Sequence, residues 1–205
     1  MQAINNIDDT APREILNKFY SDNHLEQDGG NSLSSVKIEM GSKFHFYFPN
    51  FNARRKAVIK HDIHHLLTGY NTTLKGESEI SMWEIASGCK TYKAAFFIDT
   101  SGAMLGFLIN YWGILKAFAR GRRTKNLYHD MFTAEQALDM KINDLRQQLL
   151  LDEHPIDTKP SLTDFILFNL FALYGFVYSV ILWGFIPFII FYSIYVELKT
   201  RINHV

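Results

Sequence analysis

"KHDIHHLLTGYNTTLKGESE", Lys60 to Glu79, holds three histidines and three acids in twenty residues, and its reading decides the fold. Upstream of the turn, Ile59, Ile63, Leu66 and Leu67 recur at helical spacing from Arg54 onward. "TGYNTTLKG" has the turn-forming composition of a short connector. "ESEISMWEIASG" then reads as a second helix, with Gly88 as its carboxyl-terminal cap. Two helices joined by a tight reversal predict a helical domain.

On the first of these helices, His61 and His65 lie one turn apart, with Asp62 beside them and His64 off that face. Imidazoles at i and i+4 can converge on one point, which is how a helix grips a transition metal. Two imidazoles hold an ion weakly, and the connector can return Glu77 to the pair. His61, Asp62, His65 and Glu77 are therefore the candidate ligands of a divalent metal. Imidazole with carboxylate suits zinc, with iron or cobalt as alternatives, and the lack of thiolates argues against a purely structural zinc. A zincin peptidase needs Glu where Asp62 stands. An HD phosphohydrolase needs a further His and Asp, for which His24, His45 and Asp99 are only loose candidates.

"HDIHHLLTGYNTTLKGE" resembles the HDxxH-x11-E signature of the coenzyme Q (ubiquinone) biosynthesis protein 4 family, with eleven residues between His65 and Glu77. "ARGRRTKNLYHDMF" is similar to that family's Gly-Arg-Arg and Asn-Leu-Tyr-Tyr-Glu block. The similarity runs from about Arg54 to Leu151 and includes Tyr128. A Gly-Pro pair usual in the connector is absent, and His129-Asp130 stands where the family has Tyr-Glu. The resemblance implies a helical protein acting on a polyprenylated benzoate-type ubiquinone precursor. Its implied role is to support oxidative decarboxylation (C1 hydroxylation) of the ring and to gather other quinone-biosynthesis proteins. Two other readings stand beside it: a non-catalytic membrane scaffold, and a lipid-binding protein unrelated to quinones.

Outward from this core, "APREILNKFY" (11–20) predicts a short helix, and "KFHFYFPNF" (43–51) a strand or an aromatic loop. Thr100 or Ser101 caps an uncharged run from Ala103 to Leu115. The helix Ala103 to Ala119, with Gly106 and Gly113 for close approach, supplies a candidate prenyl wall: Leu105, Phe107, Leu108, Tyr111 and Trp112. Arg120, Arg122 and Arg123 are candidates for lipid phosphate. "TAEQALDMKINDLRQQLLLDEHP" opens with a Thr-x-x-Gln capping box and predicts a helix that stops at Pro155.

Between Asp164 and Glu197 lie 32 uncharged residues, which predict membrane residence as a kinked span or a re-entrant hairpin bending near Gly184 and Pro187. The fold class expected is all-α: a compact helical domain with a C-terminal membrane-embedded helical segment or hairpin. Its regions are 1–53 (N-terminal helix and aromatic loop), 54–152 (metal-binding helical core) and 162–198 (membrane-embedded segment). Lys199 and Arg201 favour a cytoplasmic carboxyl terminus and, for a hairpin, a cytoplasmic main domain at the membrane, an inner membrane if bacterial. Residues 1–16 read as neither a secretory signal nor a transit peptide. With 21 basic and 21 acidic residues, no nucleic-acid partner is expected. The single cysteine, Cys89, excludes an internal disulfide.

Overall fold

The decisive stretch folds as a helix, a turn and a helix. In this computed structural model, which describes residues 9–22, 34–40, 44–89 and 92–203, α2 spans Asn52–Thr68 and α3 spans Leu74–Ser87. Gly69 ends α2 at φ 79°, a left-handed conformation that costs glycine nothing, and its N–H returns to the His65 carbonyl. Asn71 Oδ1 accepts from the Thr73 N–H at 3.0 Å, and Thr73 Oγ1 accepts from the Gly76 N–H at 3.3 Å, so the turn delivers a capped α3. Gly88, at φ 109°, closes α3 as its sequence predicts.

Around this pair lie α1 (Pro12–Asp22), α4 (Lys93–Ile109), α5 (Tyr111–Gly121), α6 (Ala134–Asp139), α7 (Ile142–Gln148), α8 (Leu162–Trp183) and α9 (Ile186–Asn203). One 3-10 turn covers Leu127–His129. Helix α3 is the central post and packs chiefly on α4 and α5. Ile80, Met82 and Trp83 are wholly buried on it, each worth roughly 1.5–3 kcal/mol of transfer free energy. The Trp83 indole N–H is satisfied by Thr124 Oγ1 at 2.9 Å.

The α3–α5 approach is set by Gly121. A Cβ there would stand 2.6 Å from the Trp83 carbonyl oxygen and 3.1 Å from the Ser87 nitrogen, both backbone atoms. Gly121→Ala is therefore expected to force the helices apart and to cost about 1–3 kcal/mol, read by denaturant unfolding. An unchanged midpoint would mean the two helices slide without strain.

The fold departs from the expected all-α class at one point. β1 (Ser35–Met40) pairs antiparallel with β2 (Phe44–Pro49), from Ser35↔Pro49 to Met40↔Phe44. The aromatic stretch open between strand and loop is thus a strand, laid against α9, where the Tyr47 N–H donates to Ser193 Oγ at 2.9 Å.

Three helix boundaries also differ. Thr100 and Ser101 lie within α4 and cap nothing, because the apolar stretch from Ala94 extends the helix back to Lys93; their hydroxyls bond Phe96 O and Phe97 O. The proposed continuous wall Ala103–Ala119 breaks at Asn110, between α4 and α5. The Thr133/Gln136 capping box is present, but its helix ends at Met140 and a second runs only to Gln148, with Leu150 at φ 61° before Pro155 is reached. Leu138, Ile142, Leu145 and Leu149 are nonetheless buried together, so the spacing of apolar residues survives the break.

The uncharged tail divides at Gly184 and Phe185 into α8 and α9. Among the described residues, no helix is long and apolar enough to cross a membrane. Instead α8 runs back along α4: Phe168 meets Phe107 at 4.7 Å between ring centroids, and Tyr178 meets Phe97 at 6.0 Å. At its start Asp164 is gripped by Arg122 and Arg123, both at 2.6 Å.

Candidate metal centre

His61 and His65 on α2 and Glu77 in the first turn of α3 bring one donor atom each within 4.8 Å of one another. The two imidazole Nε2 atoms stand 3.2 Å apart. Glu77 Oε2 is 3.5 Å from His61 Nε2, and Oε1 is 3.3 Å from His65 Nε2. Tetrahedral ligands at bond lengths of about 2.1 Å stand about 3.4 Å from each other, so these edges match a coordination shell.

The outer contacts fix which nitrogens face inward. His65 Nδ1 lies 2.8 Å from the Tyr70 carbonyl, which only accepts, so Nδ1 carries the proton and Nε2 offers its lone pair. His61 Nδ1 donates to Glu84 Oε1 at 3.1 Å, presenting its own Nε2 to the same centre. Both rings are held in the orientation a metal requires, one by a backbone carbonyl and one by a carboxylate. His65 is buried, His61 is 22% exposed and Glu77 38%, so the centre opens to solvent on one side only.

Asp62 stands outside this group. Its carboxylate accepts from the Tyr20 hydroxyl at 3.0 Å, and burial lifts its pKa to about 6 against the pull of the neighbouring His61. It ties α1 to α2, while Phe19 covers His65 at 5.8 Å between ring centroids.

Electrostatics favour a cation in the gap. Burial would depress His61, but the Glu84 and Glu77 carboxylates outweigh it and hold His61 protonated well above its ordinary 6.5. Burial likewise acts to raise Glu77, yet the neighbouring His61 and His65 rings bring it down to about 2. The carboxylates are thus ionised, with a proton on His61 between them.

Glu84 was outside the sequence reading, which placed His64 off the ligand face and named Asp99 only as a loose phosphohydrolase candidate. Glu84 accepts from His61 and also from His64 Nδ1 at 2.5 Å. His64 Nε2 in turn accepts the Leu127 N–H at 3.0 Å, which makes His64 the neutral Nδ1–H tautomer; burial also lowers its pKa. Asp99 on α4 forms a second group with His61 and Glu84. Glu84 Oε2 and Asp99 Oδ2 are buried without a hydrogen-bond partner in the structure. Burial and the Glu84 charge push Asp99 far up, so it carries a proton beside the Glu84 carboxylate. Periodicity carried a signal for two of them: Glu84 lies two turns after Glu77 on α3, and Asp99 is the lone acid of an apolar helix.

The "NLYHD" block buttresses α2. Lys60 Nζ donates to Leu127 O at 2.8 Å and to Asp130 Oδ1 at 3.0 Å, and the Tyr128 ring meets His64 edge-on at 5.2 Å. Asn126 Nδ2 bonds the Glu84 carbonyl at 3.0 Å.

The remaining candidates scatter. Arg120 is no surface cation: it is 2% exposed and donates to the carbonyls of Thr68 and His154. Arg122 and Arg123 are engaged by Asp164. Leu108 and Trp112 face outward at 85% and 70% exposure, while Leu105, Phe107 and Tyr111 are half-buried. Of the loose phosphohydrolase candidates, His24 lies outside the described residues and His45 sits near Glu197, at 3.9 Å. Two surface hollows, of about 410 Å³ and 310 Å³, lie away from the centre, against α9 and between α5 and the start of α8.

Fold and site together define a mainly helical protein with His, Glu and Asp groups that can hold a metal ion. No protein-family model, curated protein or solved structure matches the chain.

Proposed function

We propose that the protein binds a divalent metal, zinc before iron or cobalt, and supports oxidative decarboxylation of a polyprenylated benzoate-type precursor in ubiquinone biosynthesis. The observation that carries the reading is the convergence of His61, His65 and Glu77, with the rings oriented as a metal needs, within a stretch that resembles the HDxxH-x11-E signature. A three-residue shell open on one side leaves a position for a ligand from outside. A divalent cation bound there would supply Lewis acidity toward a substrate carboxylate or phenolate. Glu84 would hold His61 in register, and the covering ring of Phe19 would limit water on the His65 side. The carboxylate would leave as carbon dioxide, and the two electrons lost as the hydroxyl replaces it would pass to dioxygen from outside the chain. Membrane lipids are proposed partners, with the main domain on the cytoplasmic side, and other quinone-biosynthesis proteins complete the set.

A second reading is a scaffold whose metal staples α2 to α3, since His61 and His65 stand on one helix and Glu77 on the other. Cells lacking the gene, complemented with wild type or Glu77→Ala, separate the two by mass spectrometry of quinones and precursors. Decarboxylation predicts that a ring-carboxylated prenyl precursor accumulates and that wild type alone relieves it. Unchanged quinone pools would remove the pathway, and full rescue by Glu77→Ala would remove the metal's part in it.

A further inference from the structure

Of the 26 large hydrophobic residues that stand exposed among the described residues, 18 lie between Leu162 and Leu198. They do not stand alone. Helix α8 is backed by α4 along the middle half of its length, from the Phe107–Phe168 pair to the Phe97–Tyr178 pair, and a Cβ on Gly175 would meet the Met104 sulfur. Helix α4 adds Ile98, Leu108 and Ile109 to the same apolar belt, and α5 adds Trp112. From Lys93 to Lys116 the only charged residue is Asp99, which is buried. Lys93, Lys116 and Lys159 are exposed at the ends of the uncharged stretches, and the hollow between α5 and α8 is lined by Trp112, Lys116, Leu162 and Phe165 among others.

We infer that α4, the first turn of α5 and α8 form one monotopic membrane-binding surface, seated in a single leaflet of a bilayer bearing anionic lipid. The inference rests on the membrane association proposed above and not on the metal. Two features specify lipid as the occupant. The face carries large exposed apolar side chains on α4, α5 and α8 with no exposed charge among them, and the exposed cations Lys93, Lys116 and Lys159 flank those stretches, where they meet headgroup phosphate. A helix crossing the bilayer would have to shed α4, whose aromatic contacts continue to Tyr178.

The arrangement also places the bilayer next to the metal centre. Ile98 points outward from α4, and its neighbour Asp99 is buried against Glu84. One helix, about 10 Å across, separates lipid from the centre. An amphiphile with a prenyl tail would present its aromatic head from the leaflet and leave its tail there.

The test is flotation of the full chain, diluted from detergent, with phosphatidylcholine vesicles with and without phosphatidylglycerol. Leu108→Glu combined with Trp112→Glu is compared with wild type. Both side chains are exposed, so metal content and melting temperature should stay at wild-type values and report an intact fold. The expected result is a loss of vesicle partitioning of about tenfold or more, since each residue buries a large apolar side chain in the leaflet. Lys116→Glu should weaken binding only where phosphatidylglycerol is present. Flotation of the double variant equal to wild type would overturn the inference and leave the tail as sole anchor. Failure of wild type to float would overturn the membrane association itself, and an apolar face then covered by a second copy would appear as a dimer in solution.

Discussion

Metal binding to the purified protein at neutral pH is expected to release about one proton per ion, and affinity should rise about tenfold per pH unit until His61 loses its proton. The cause lies in the metal-free site. His61 sits between the Glu84 and Glu77 carboxylates, which hold it charged despite its burial. Its Nδ1–H goes to Glu84, so its second proton lies on Nε2, facing His65 Nε2 at 3.2 Å. That proton occupies the position a metal would take. Because its folded pKa is raised above 6.5, charged His61 stabilises the metal-free fold fully below that value, and the contribution is lost as pH climbs through the raised pKa. The metal-loaded protein should not show this loss. Calorimetric titration in buffers of different ionisation enthalpy gives the proton count directly. Binding with no proton exchange and no pH dependence would show that His61 is not a ligand.

The second large effect is expected at a residue that touches no metal. Glu84→Gln should lower metal affinity about 10–100-fold while the fold persists. Glu84 Oε1 accepts two N–H groups, from His61 and His64, in a fully buried position. A glutamine amide offers one neutral oxygen and a nitrogen that donates. His61 would then lose the carboxylate that holds its proton on Nδ1, and the neutral ring could keep its one proton on Nε2, where a metal would bind. Chelator competition measures the affinity, and the spectrum of a cobalt-substituted protein reports the change in coordination. Removing the negative charge also relieves the pressure on Asp99 to keep its proton. Wild-type affinity in Glu84→Gln would mean His61 is oriented by packing alone.

Both predictions depend on contacts that differ in how legible they were. His61, His65 and Glu77 follow from local geometry: i, i+4 spacing on one helix, and a turn short enough to reverse the chain. Gly88 ends its helix as read, and Gly69, read only as part of a connector, does the same for α2, because left-handed caps are chosen by single residues. The Thr133 capping box is equally local and is present. Asp62 shares a helix face with the histidines in projection, yet its carboxylate is taken by Tyr20, 42 residues away. His64, set aside as off the face, became the second donor to Glu84. Arg120 looked like a surface cation and is buried between two carbonyls supplied by distant turns.

By itself, then, the sequence determined the helical class, the α2–turn–α3 unit and a set of four candidate ligands, of which the donor atoms of His61, His65 and Glu77 converge. These depend on propensity, caps and one-turn spacing, which act over a few residues. Tertiary structure decided the buried carboxyl pair of Glu84 and Asp99, the break at Asn110, the pairing of the aromatic strand, and the backing of α8 by α4. Each depends on desolvation and packing between segments tens of residues apart, where a neighbour's approach sets whether a charge keeps its proton or a helix continues. The order of residues along the chain carries no distance between them.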